Sequence, residues 1–106
     1  MTNDQINKAI ADDLGWKPVP NSSYYWYRPG ETLSVKAEFT DSYDAVAEMR
    51  NGIRSEEQIR YVSFLMSICK SDAWDAINAT PRQQAEAFLK MRGKWVDHVP
   101  DDRKMV

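Results

Sequence analysis

Three Ser/Thr-x-x-Gln signatures punctuate the sequence, and helix starts marked this plainly constrain the fold more than any other feature. They are Thr2 with Gln5, Ser55 with Gln58, and Thr80 with Gln83. In such a capping box the hydroxyl accepts from the amide three residues on, and the glutamine carbonyl reaches back to the cap amide. Two donors that a helix start leaves without partners are thereby satisfied. Apolar residues follow each box at helical spacing. Ile6, Ile10 and Leu14 predict a helix from about Asn3 to Leu14, closed by Gly15 in the left-handed conformation. Ile59, Val62, Leu65, Met66 and Cys69 predict a second from about Glu56 to Lys70, with these residues on one inward face. Pro81 stands at the first helical position after Thr80, and Ala85, Phe88 and Leu89 carry a third helix to about Arg92, before Gly93. A shorter helix is expected where Ala45, Val46 and Met49 lie between the cap candidates of Thr40-Asp41-Ser42-Tyr43-Asp44 and the break at Asn51-Gly52.

Strand signals are fewer. Tyr24, Tyr25, Trp26 and Tyr27 have high strand propensity, and Arg28-Pro29-Gly30-Glu31 puts Pro and Gly at the centre of a type II turn. Leu33, Val35 and Ala37 then alternate with Ser34, Lys36 and Glu38, which predicts a hairpin whose second strand has one wet face. Lys17 to Ser23 reads as a connecting loop, and Ser71 to Ala79 as a short third strand. The expected class is α+β, a small sheet flanked by about four helices in an α/β/α sandwich. The 106 residues suffice for one core, so residues 1–95 are read as a single domain and 96–106 as a flexible C-terminal tail.

Charge and composition narrow the partners. Fourteen basic against sixteen acidic residues leave a net charge of -2, which offers no global positive field to gather phosphate backbones, so nucleic acid is not expected. The longest apolar stretch, near Tyr61 to Cys69, is far shorter than the roughly 20 residues a membrane-spanning helix needs. Neither a membrane partner nor a signal segment is read at the start of the chain, and the expected location is the cytoplasm. One cysteine, Cys69, allows no internal disulfide, and one histidine, His98, makes a zinc centre improbable.

Several strings occur together in order. They are Ile6-Asn7-Lys8-Ala9-Ile10 with Leu14-Gly15-Trp16, and Trp26-Tyr27-Arg28-Pro29-Gly30. Phe39-Thr40-Asp41-Ser42-Tyr43-Asp44-Ala45 follows, then Ala79 through Leu89 running to Gly93-Lys94-Trp95. Over about residues 5 to 95 this pattern resembles the small phage and prophage proteins called the phage ABA sandwich family. The resemblance implies a central sheet with helices on both sides and a phage or prophage origin. It implies no reaction.

No catalytic constellation is read from the residues, and no cofactor or metal is expected. Asp41 and Asp44, like Glu56 and Glu57, are read as helix-start carboxylates that complement the dipole. Cys69 is read as a core residue and His98 as a solvated one. Among Tyr24 to Tyr27 burial in the core is the expected role, while a binding platform would use Tyr25, Tyr27 and Arg28. Arg82, Lys90, Arg92 and Lys94 are read as a solvated cationic face, Arg82 being the second candidate to contact phosphate. The leading expectation is a non-enzymatic phage or prophage accessory protein that binds a host or phage protein, in the manner of an inhibitor of host defence. The alternative is a nucleotide-sequestering protein that stacks the base on the aromatic hairpin. Homo-oligomerisation is compatible with either.

Overall fold

In the computed structural model, residues 1–22, 24–69 and 78–96 are described. The expected strand over Ser71–Ala79 falls mostly outside them, as do His98 and residues 97–106 of the expected tail; Asn78 and Ala79 are not in a strand.

The chain is α+β. Helix α1 spans Asn3–Asp13. Its capping box forms as expected, with the Gln5 amide donating to Thr2 Oγ1 at 3.2 Å and the Thr2 amide to Gln5 Oε1 at 2.8 Å. At its other end Gly15 adopts φ +82°, the Gly15 amide donates to the Asp12 carbonyl at 3.1 Å and the Trp16 amide to the Ala11 carbonyl at 2.9 Å. This paired closure turns the chain sharply and folds Trp16 back into the core.

Strands β1 (Lys17–Pro18), β2 (Tyr25–Tyr27) and β3 (Ser34–Lys36) form an antiparallel sheet in that order. The hairpin turn is as expected, with Gly30 at φ +76° and the Glu31 amide donating to the Arg28 carbonyl at 3.0 Å. The third strand corrects the loop expected at Lys17–Ser23. Lys17 pairs with Tyr27 and Pro18 with Trp26, and the Val19 amide adds a bond to the Tyr25 carbonyl at 3.0 Å. Two residues are too few to show an alternating pattern, so nothing in composition marked them. Pro18 and Lys36 lie on the two outer strands, where a missing amide and a charge discourage edge-to-edge pairing.

Trp26, opposite Val35, points into the core, while Tyr25, Ser34 and Lys36 are exposed. Only 4 % of the Trp26 surface reaches solvent, against 53 % for Tyr24 and 47 % for Tyr25, so the expectation that the whole aromatic run is core fails for these two tyrosines. Alternation accounts for Tyr25, which points away from the face that Trp26 buries, whereas Tyr24 precedes β2 and lies outside the strand.

Helix α2 (Tyr43–Arg50) starts at Ser42, whose hydroxyl accepts from the Ala45 amide at 3.2 Å, and it buries Val46 and Met49 completely. A turn of 3-10 helix at Ser55–Glu57 leads into α3 (Gln58–Ile68). The box expected from Ser55 and Gln58 is not the one formed. The start lies one residue earlier, where Glu57 reaches back to accept from the Arg54 amide at 3.2 Å. The inward face of α3 is also corrected. Tyr61, Leu65 and Cys69 are buried, whereas Ile59 is 81 % and Val62 48 % exposed.

Helix α4 (Pro81–Met91) carries the third expected capping box, Thr80 with Gln83, and ends in the same closure as α1, at Gly93. It is the centre of the fold. Ala85, Ala87, Phe88 and Leu89 are fully buried on different sides of it, and α1, α2 and α3 all pack against it. Val96, read as the first residue of the tail, is held to the chain start, its amide donating to Met1 Sδ and its carbonyl accepting from the Met1 amine.

Candidate functional site

The four residues singled out in the sequence do not converge. Tyr25 lies in a cleft of about 330 Å³ between α1 and the end of the hairpin. Tyr27 and Arg28 line a second, more open cleft of about 590 Å³ with Lys17 and the turn Pro29–Glu31. Arg82 lines neither.

Arg28 is engaged within the fold. Its Nε and Nη2 donate to the two carboxylate oxygens of Glu48 at 2.7 and 3.0 Å, Glu31 lies 3.5 Å from Nη1, and the guanidinium sits 5.4 Å from the centre of the Trp16 ring. The hydrogen bond to Glu48 holds its pKa above the ordinary arginine value. A fork already filled by a carboxylate is a poor phosphate reader. Arg82 is engaged too, donating to Asn3 Oδ1 and to the Met1 carbonyl.

The remaining cations of the last helix are not a solvated face. Lys90 pairs with Glu86 at 3.1 Å, and Lys94 with Asp13 at 2.8 Å. Arg92 lies 3.6 Å from Asp13 and 3.4 Å from Glu57, donates to the Gly52 carbonyl at 2.7 Å and stacks on the Phe88 ring. This network ties the end of α1 to the end of α4 and the start of α3. The Arg54 backbone amide, with Arg92 and Arg54 charges beside it, holds the Glu57 carboxyl below its ordinary pKa.

The cleft beside Tyr25 has firm walls. Asn7 on α1 makes a reciprocal pair with Thr40, accepting from its amide at 3.1 Å and donating to its hydroxyl at 3.3 Å, and that hydroxyl donates to Asp41. Ser22 Oγ accepts from the amides of both Tyr24 and Tyr25. Asp41 is thus a wall group of the cleft, while Asp44 sits in the first turn of α2 as expected. Lys8 and Lys36 also line the cleft and were missed in the sequence. The signal existed: Lys8 lies one turn beyond Asp4 on α1, and Lys36 is on the wet side of β3.

A third surface is the outer side of α3. Gln58, Ile59, Val62, Ser63 and Met66 form an uncharged row there. Among the described residues no three His, Cys, Asp or Glu side chains converge to hold a metal ion, and no helix is long and apolar enough to cross a membrane. Comparison with protein-family models, curated proteins and solved structures finds no match for the chain.

Proposed function

We propose that this chain is a non-enzymatic accessory protein of phage or prophage origin that works by binding a host protein, with inhibition of a host defence as its role. The observation that supports a binding role is the outer side of α3, where Ile59 is 81 % exposed beside Val62 on a row that carries no charge. Aliphatic side chains left in water gain when a partner covers them. The phage setting rests on the resemblance of the ordered strings from Ile6 to Trp95 alone.

The nucleotide-sequestering alternative is less well supported, because Arg28 and Arg82 are engaged within the fold and lie apart from Tyr25. A thermal-shift screen against nucleotides tests it; a ligand at 100 times its Kd stabilises by about 2.7 kcal/mol. Capture from a host lysate with the tagged chain, read by mass spectrometry, tests the leading reading. Reproducible enrichment of one host protein is expected, and repeated failure to enrich any would overturn it.

A further inference from the structure

The cleft between α1 and the hairpin combines features that the α3 row lacks. Its volume of about 330 Å³ is at the small end of ligand sites, suited to one amino acid or a ring of similar size. Charges of both signs line it, yet Asp4, Lys8, Lys36 and Glu38 make no ion pair or side-chain hydrogen bond among the described residues. Elsewhere Arg28, Lys90, Arg92 and Lys94 pair with carboxylates, while Asp12, Lys17, Asp44, Arg50 and Arg60, like the cleft's four, do not among the described residues. Unpaired charges of opposite sign in one cleft are complementary to a molecule that carries both. Beside them Tyr25 presents a ring that is 47 % exposed, on a backbone fixed by Ser22.

We propose that this cleft binds a small zwitterion with a planar side group, an aromatic amino acid being its simplest form. The ligand ammonium sits with Asp4 and Glu38, its carboxylate with Lys8 and Lys36, and its ring stacks on Tyr25. The Asn7–Thr40 pair fastens α1 to the segment after β3, so the backbones that carry these groups are positioned before the ligand arrives. The site is separate from α3 and stands whether or not that surface takes a partner.

The test is a titration of the isotope-labelled full chain, followed by amide NMR shifts, with L-phenylalanine, phenethylamine, 3-phenylpropionate and AMP. Phenylalanine is expected to give saturable shifts at Lys8, Tyr25 and Lys36, and each analogue lacking one charge to bind about tenfold more weakly. Lys36→Ala should weaken phenylalanine and phenylpropionate but leave phenethylamine unchanged, whereas Tyr25→Ala should weaken all three. Both side chains are exposed, so these variants leave the core intact. No shifts at millimolar phenylalanine, equal binding of the singly charged analogues, or tighter binding of AMP would overturn the proposal.

Discussion

Arg28 and Glu48, twenty residues apart, form a two-point pair in which Nε and Nη2 donate to separate carboxylate oxygens at 2.7 and 3.0 Å. The pair fastens the hairpin turn to α2 and holds the guanidinium over Trp16. About a third of each side chain is exposed, so solvent screens the attraction. Arg28→Lys, which keeps the charge but loses the fork, should destabilise the fold by about 1 kcal/mol in urea denaturation. An unchanged midpoint would show that the pair only decorates the surface.

Asp13 is nearly enclosed, with Lys94 and Arg92 against it. Asp13→Ala takes the carboxylate from Lys94, which is half exposed, and from Arg92, which keeps Glu57 and the Gly52 carbonyl, so a loss of about 1 kcal/mol is expected in the same assay. Additivity with Arg28→Lys is expected too, since the two sites share no partner.

Burial pushes the Tyr61 phenol up to about 12, and among the described residues its hydroxyl has no hydrogen-bond partner. A group whose pKa is raised on folding favours the folded state below its unfolded value, near 10, and loses that contribution as pH rises toward the folded one. Stability should therefore fall above about pH 10, and spectrophotometric titration should show one tyrosine of the five ionising late. Tyr61→Phe should abolish the late phase and leave stability at neutral pH equal or higher by about 1 kcal/mol.

Glu57 has the opposite sign. Its carboxyl is held low in the fold, first by the Arg54 amide, so it stabilises above the ordinary carboxylate pKa and this contribution disappears as pH falls through the lowered one. Thermal unfolding followed from neutral to acid pH should show a shallower acid decline for Glu57→Gln than for the unaltered chain. Parallel curves would assign the decline to other groups.

Much of the helical frame was legible because its signals are local. Thr2 with Gln5, Thr80 with Gln83, and the glycines at 15 and 93 act within five residues of where they stand, and the structure uses each as read. Gly15→Ala should cost about 1 kcal/mol from backbone strain alone, since the nearest atom to an added Cβ is 3.8 Å away. The cap of the turn leading into α3 was misplaced by one residue, Ser55 for Arg54, because Glu57 answers to Arg92, far along the chain, as well as to Arg54. The facing of α3 was legible only in part: Leu65 and Cys69 are buried as read, while Ile59 and Val62 are not. Ile59 and Val62 are as apolar as Tyr61 and Leu65, and periodicity cannot choose between two apolar faces when α4 accepts only one. The candidate site suffered likewise: adjacency in sequence joined Tyr25 to Arg28, but strand alternation and Glu48 separated them.

The exposed row on α3 carries the functional account, and the paired behaviour of one variant tests it most directly. Ile59→Asp with Val62→Asp places two charges on side chains already in water, so thermal stability should stay within about 0.5 kcal/mol of the unaltered chain. Captured side by side from the same host lysate, the unaltered chain should enrich a host protein that the doubly substituted chain does not. Equal enrichment by both would contradict the assignment of this surface to partner binding.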